Sequence, residues 1–314
     1  MASARASTAP AASAAVEARR RRASPAASPT RVLVGFDGRP GSRDALTFAQ
    51  ALCEATKAEL VVASVRPYWP GLLGPDGYAR AIREDEQWIR REAGKALDGQ
   101  AFSVRVLAGG HESGGLKELA AAEDADLIVV GSSHRGPVGR VLPGSVGERV
   151  LSDAPCAVAV APRGLAGGGM HVPQEGVRIR EIAVGYDGSR ESRVALETAI
   201  ELAEHSEASL HLLGVVDMDV VLGFEDPTPD KLEEERVRRH LDRALKSMPR
   251  AIAADARVLH GSPGQAIVEA ARDADLLVIG SRGHYGVARR LLLGSVAARV
   301  MRSASCPTLV TPAL

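Results

Sequence analysis

The sequence predicts an α/β protein of two tandem doubly wound domains, each a five-stranded, mostly parallel sheet with helices on both faces. Three observations lead there. First, the chain repeats itself. Asp-Ala-Asp-Leu-Ile-Val-Val-Gly-Ser, from Asp124 to Ser132, returns as Asp-Ala-Asp-Leu-Leu-Val-Ile-Gly-Ser from Asp273 to Ser281. Val-Gly-Phe-Asp-Gly (Val34 to Gly38) returns as Val-Gly-Tyr-Asp-Gly (Val184 to Gly188), and Gly-Ser-Val at 144–146 returns at 294–296. Second, the anchors keep one order and one offset: Asp37 to Asp187, Gly144 to Gly294 and Cys156 to Cys306 are each 150 residues apart. A period this long exceeds that of solenoid repeats, so each copy owns a core. Third, short apolar runs alternate with helical stretches throughout, the pattern of a parallel sheet with right-handed crossovers.

In the first copy, Val32–Phe36 is an apolar strand ending at Asp37-Gly38. Residues 42–55 are helical in composition, with Ser42 as the cap. Leu60–Val65 is the second strand. Residues 78–97 carry apolar anchors Ile82, Ile89 and Leu97 among charges and read as a helix. Phe102–Leu107 is a strand, 115–123 a helix and Leu127–Val130 a strand. A helix opens at Gly144-Ser145, and Ala157–Val160 closes the copy. The second copy runs in the same order: strand Ile182–Tyr186, helix 190–205, strand Leu210–Val216, helix 230–247, strand Ala256–Leu259. Helix 264–272, strand Leu276–Ile279, helix 295–302 and strand Thr308–Thr311 follow. Near-continuous apolar runs such as Leu-Ile-Val-Val suit strands buried on both faces.

Domain limits follow from composition. Residues 1–30, dominated by Ala, Ser, Pro and Arg, predict a disordered tail. The first domain spans 31–162, a glycine-rich linker 163–178, and the second domain 179–314. A length of 314 residues suits two domains.

Hydrophobic residues at 45% and charged residues at 25% are ordinary for a globular protein. Lys and Arg total 39, matching 39 Asp and Glu, and Arg19–Arg22 sit in the tail. The body therefore lacks the concentrated basic face that nucleic acid requires, and no nucleic-acid partner is expected. The arginine run reads as a solvated block. Apolar runs fall short of the roughly 18 residues a membrane helix needs. No apolar segment follows the N-terminal arginines, so a cytoplasmic protein without a membrane partner is expected. Three cysteines without a CxxC imply reduced thiols, placed by packing, and no structural zinc.

Ligands of doubly wound sheets sit beyond the carboxyl ends of the strands. Asp37, Asp187, Gly131 and Gly280 fall at such ends. After its fourth strand the second copy reads Gly280-Ser-Arg-Gly283-His284-Tyr-Gly, then Arg289-Arg290 and Gly294-Ser295-Val296. Glycines let backbone approach a ligand, and a helix beginning at Gly294-Ser295 offers free N–H groups to an anion. The competing structural reading is a strand-to-helix loop whose glycines serve sharp turning.

These repeated pieces resemble the universal stress protein family in its tandem form, over nearly the whole of both copies. Its ATP-binding members carry Gly, two residues, Gly, nine residues, then Gly-Ser or Gly-Thr after the fourth strand, and an Asp ending the first. The second copy keeps Gly280, Gly283 and Gly294-Ser295, with ten residues between the last two glycines. The first copy keeps Gly131 and Gly144-Ser145 at the right distance, but His134 stands where the middle glycine belongs. A side chain there hinders a positive φ or close phosphate approach, unless Gly136 takes the role or His134 or Arg135 meets phosphate itself.

The resemblance implies that Asp37 and Asp187 lie beside adenosine and that the main chain near Val65 and Val215 meets the adenine edge. Gly131 and Gly280 would border ribose and phosphates. Gly144-Ser145 and Gly294-Ser295 would hold phosphates, with ATP, alone or with Mg²⁺, as the ligand. The rival reading of the two aspartates is turn formation in Asp-Gly. No GxxxxGK[ST], GxSxG, HExxH or kinase signature occurs, and the eight histidines show no repeated pairing with a nucleophile. No catalytic residue or metal ligand is assigned.

The expected function is an ATP-binding universal stress protein acting in stress response or regulation. A nucleotide-free interaction module and a slow Mg²⁺-dependent ATPase stay open as alternatives. The late apolar strands (157–160 and 308–311) would sit at sheet edges, which invite pairing. In the resembled family two domains associate through that strand, so intramolecular pairing of the copies is expected; a further homo-oligomer is left open.

Overall fold

A computed structural model describes residues 29–66, 70–108, 111–134, 137–167, 177–217, 228–282 and 293–312. The predicted tail up to residue 28, the linker centre (168–176) and the loop holding Gly283, His284, Arg289 and Arg290 lie outside them, as do Arg135 and Gly136.

The first half comprises β1 (Arg31–Gly35), α1 (Pro40–Thr56), β2 (Glu59–Arg66), α2 (Pro70–Gly94), β3 (Phe102–Ala108), α3 (Glu112–Ala122), β4 (Leu127–Gly131), α4 (Ser145–Asp153) and β5 (Ala157–Ala161). The second comprises β6 (Glu181–Gly185), α5 (Arg190–Ser206), β7 (Ser209–Asp217), α6 (Thr228–Ser247), β8 (Ala254–Gly261), α7 (Pro263–Ala270), β9 (Leu276–Gly280), α8 (Ser295–Ser303) and β10 (Thr308–Thr311). The fold is α/β with a mostly parallel sheet.

All strands join one ten-stranded sheet in the order β3-β2-β1-β4-β5-β10-β9-β6-β7-β8. Neighbours are parallel except at the centre, where β5 and β10 run antiparallel with Thr308 opposite Val160 and Val310 opposite Val158. The order reads the same from either end.

Alternation along the strands feeds two cores. Val32 and Val34 face the side covered by α1, α2, α5 and α6, where Phe48, Ile89, Leu202 and Leu241 pack. Leu33 faces the other side with Leu116, Val150, Ile267 and Val300 from α3, α4, α7 and α8. Burial on both faces accounts for the continuous apolar runs. Cys53, Cys156 and Cys306 are buried, and burial pushes the Cys53 and Cys306 thiols up to about 12.

The largest departure from the sequence reading is α2, expected over 78–97. It starts at Pro70 and ends at Gly94, with a non-helical Gly74 (φ 65°, ψ 167°) inside it. Pro and Gly at 70–77 mask the first turns in the sequence, although a helix tolerates Pro in its first turn. Strand β8 also extends beyond the expected Ala256–Leu259 at both ends. Asp255 and His260, flanking the apolar stretch, are exposed and polar, so the strand's ends carry no apolar signal. Among the described residues, no helix is long and apolar enough to cross a membrane.

Candidate functional site

The site begins where β1 ends. Asp37 Oδ1 accepts the Arg39 N–H at 2.9 Å, and Asp187 Oδ1 accepts the Ser189 N–H at 2.9 Å. Between them Gly38 and Gly188 take φ of 80° and 79°, the left-handed region that favours glycine. Both aspartates therefore build the turn into the following helix, the role Asp-Gly plays on its own account. A ring lies against each turn: a Cβ on Gly38 would meet Trp88 at 2.5 Å, and one on Gly188 would meet His240 at 2.6 Å. In the first half, Asp37 Oδ2 also lies 3.5 Å from Arg39 Nε.

The glycines ending β4 and β9 are places of close backbone approach. A Cβ on Gly131 would stand 1.8 Å from the Gly41 carbonyl oxygen, and one on Gly280 would stand 2.8 Å from the Glu191 carbonyl carbon. Each glycine lets the first turn of its neighbouring helix (α1 or α5) settle on the strand end.

Beyond Gly131 the chain folds back on itself. Ser132 Oγ donates to the Ala161 carbonyl at 2.7 Å and accepts the Leu142 N–H at 3.1 Å; Ser133 N–H donates to the Leu142 carbonyl at 2.7 Å. These bonds bring Pro143-Gly144 beside the end of β4 and fix the start of α4. Gly144 is the N-cap, with φ −77° and no side-chain cap. A Cβ there would make only ordinary contact, 3.7 Å from Ser133 Cβ. Neither backbone angle nor packing within the protein demands glycine at 144. What glycine does leave is open space before the N–H groups of the α4 first turn, which lack intrahelical acceptors.

A cavity of about 440 Å³ occupies that space, at the carboxyl ends of β1, β2 and β4, and it is lined by Asp37, Val65, Gly131, Gly144 and Ser145. The structure thus brings together all five positions singled out in the first copy. It lies between β1 and β4, where the strand order reverses, the position expected for a ligand of such a sheet. Arg39, Glu112, Ser133 and His134 line it too. Glu112 opens α3 and could not be found from the sequence, because nothing local says that this helix start faces the cavity. Ser132, which also lines the cavity, follows Gly131 directly, and the repeat of Gly-Ser after both strands was its available signal; Ser133, one residue on, had no such repeat, since Arg282 stands after Ser281.

The second half repeats the framework. Val215 pairs with Leu259 at the ends of β7 and β8, as Val65 pairs with Leu107. Gly294 N–H donates to the Ser281 carbonyl at 2.8 Å, and Gly294 caps α8 without a side-chain bond. Ser281 Oγ is buried and, among the described residues, has no partner. Gly283 lies outside the described residues. No group of three His, Cys, Asp or Glu side chains able to hold a metal occurs among the described residues.

Comparison with known proteins agrees with this architecture. Residues 29–162 and again 178–312 match the universal stress protein family. The chain belongs to that family. A universal stress protein of Mycobacterium tuberculosis is 29% identical over 294 residues, covering 89% of this chain and 95% of its own. One from Methanocaldococcus jannaschii is 34% identical over 138 residues, covering 42% of this chain and 81% of its own. The crystal structure of a universal stress protein from Archaeoglobus fulgidus superposes with a TM-score of 0.64 at 22% identity, over 90% of this chain and 98% of that one. This tandem universal stress protein therefore shares both its doubled sequence and its fold with the family.

Proposed function

We propose that this universal stress protein binds ATP or a related adenine nucleotide and acts as a nucleotide-responsive stress or regulatory factor. Its working units in this reading are domains 31–162 and 179–314, joined by linker 163–178 and paired within one chain through β5 and β10. The observation that carries the nucleotide reading is Gly144. It is a glycine without a conformational or packing reason, set at a helix N-terminus that opens into a cavity. A volume of about 440 Å³ falls within the range of small-molecule sites. The N–H groups of Ser145 and Val146 would take phosphate, and the apolar end at Val65 would take the base. Any Mg²⁺ would be bound largely through the phosphates, as that ion prefers.

Asp37 and Gly131 enter this reading as framework. Asp37 shapes the turn at the cavity wall, and Gly131 allows α1 to close against it. The chain's residues supply binding and orientation, and no step of hydrolysis is assigned to them. The test is mass spectrometry of nucleotide released from gently purified protein, followed by calorimetric titration with ATP, ADP and AMP. Release or binding of at least one adenine nucleotide per chain is expected. No release and no binding at millimolar ligand would defeat the reading in favour of a nucleotide-free interaction module.

A further inference from the structure

The loop that joins two stretches of the first cavity's lining, Gly131 to His134 and Gly144 to Gly147, is held from the other half of the molecule. Arg140 Nη1 donates to the Ser303 carbonyl at 2.6 Å, and Val141 N–H donates to the Ala304 carbonyl at 2.7 Å. Both acceptors end α8. The last carbonyls of a helix lack intrahelical donors and carry the negative end of its dipole, so a guanidinium and an N–H are well suited to them. The Val141 side chain is fully buried, in the same core as Met301, Ala304 and Val310.

On its other flank the loop is tied to the chain leaving β5. Gly139 N–H donates to the Arg163 carbonyl at 2.8 Å, and Arg163 N–H donates to the Arg140 carbonyl at 3.1 Å. That chain hangs in turn on Asp44 of α1. Asp44 is 2% exposed, and its carboxylate accepts the N–H of Gly164 at 2.9 Å and of Ala166 at 2.8 Å. One period later the residue is Val194, so this anchor belongs to the first copy alone.

We propose that residues 139–143 form an interdomain clamp that links the first cavity to the seating of α8, with Arg140 as its positioning residue. α8 runs from Gly294-Ser295, the phosphate-facing turn of the second copy, to the carbonyls that grip Arg140 and Val141. A ligand that orders the first loop therefore steadies the end of α8, and by linkage a change in α8 alters the first cavity. The clamp stands on the bonds themselves; its connection to a ligand rests on the nucleotide reading.

Hydrogen exchange on the full chain tests both parts. Without ligand, Arg140→Ala is expected to speed exchange about tenfold across 139–143 and 301–304, the effect of losing one charge-assisted bond, and Arg140→Lys is expected to restore part of it. Unchanged exchange at 301–304 in Arg140→Ala would overturn the clamp. With saturating ATP, the wild type is expected to gain protection at 139–146 and at 301–304, and Arg140→Ala only at 139–146. Protection at 139–146 with none at 301–304 in the wild type would overturn the linkage. An absence of any ATP effect would defeat the nucleotide reading instead, leaving the ligand-free comparison to decide the clamp.

Discussion

Gly131 and Gly41 meet backbone to backbone: a Cβ on Gly131 would lie 1.8 Å from the Gly41 carbonyl oxygen. No rotamer relieves a clash with main chain, so α1 would have to retreat from β4. Gly131→Ala should destabilise the protein by about 2–4 kcal/mol, read as a lower urea midpoint at unchanged slope. Stability equal to wild type would show that the helix moves freely there. Loss of ligand binding in this variant would by itself say nothing about ligand contact.

Gly144 predicts the opposite pattern. Asp is a good N-cap, and nothing in the protein obstructs a side chain at this position. Gly144→Asp should leave stability within about 0.5 kcal/mol of wild type, or raise it slightly. The same carboxylate would stand where phosphate is expected. Thermal unfolding of the ligand-free variant checks the first part, and a large drop in melting temperature would contradict it.

His211 lies between two carboxylates on neighbouring strands. Its Nδ1 is 2.8 Å from Asp255 Oδ2 and its Nε2 is 2.6 Å from Glu181 Oε2. Burial opposes the charged ring, but the bonds to Glu181 and Asp255 outweigh it and raise the pKa above the ordinary histidine value. A raised folded pKa means stability that is present below about pH 6.5, the unfolded value, and lost as pH climbs through the folded one. His211→Gln should therefore cost about 0.5–1 kcal/mol near pH 6 and less at pH 9. Denaturation of both proteins at the two pH values checks this, and a pH-independent difference would contradict it.

Glu201 on α5 has the reverse effect on the molecule at neutral pH. Burial first, then Glu197, Glu204 and Asp126, raise its carboxyl pKa to about 7, with His205 opposing. Asp126 belongs to the first half, so the field crosses between halves. The stability present below the unfolded carboxyl pKa, about 4.3, is lost as pH rises towards 7. Glu201→Gln should be neutral at pH 4 and stabilising by about 1 kcal/mol at pH 8, after allowance for solvent screening. No gain at pH 8 would show that the charge is solvated.

The fold was largely legible in the sequence because the repeat, the strand runs and the Asp-Gly and Gly-Ser turns are local patterns. So were Asp37, Val65, Gly131, Gly144 and Ser145, which sit at strand ends or a helix start and converge on one cavity. Their division of labour was not. Gly131 serves contact with Gly41, and only packing coordinates reveal that Gly144 has no such duty. Asp44 and Arg140 stayed hidden because their partners are distant in sequence, and Glu112 because the rest of the cavity wall it joins is; Arg140 meets Ser303 across 163 residues.

The most direct test of the central claim is titration of the ligand-free full chain with MgATP, wild type beside Gly144→Asp, by calorimetry. The account predicts saturable binding by the wild type, and at least a tenfold weaker first-site affinity in the variant, as expected when a like charge is set against phosphate. Equal affinity in both proteins, or no binding by a well-folded wild type, would contradict it.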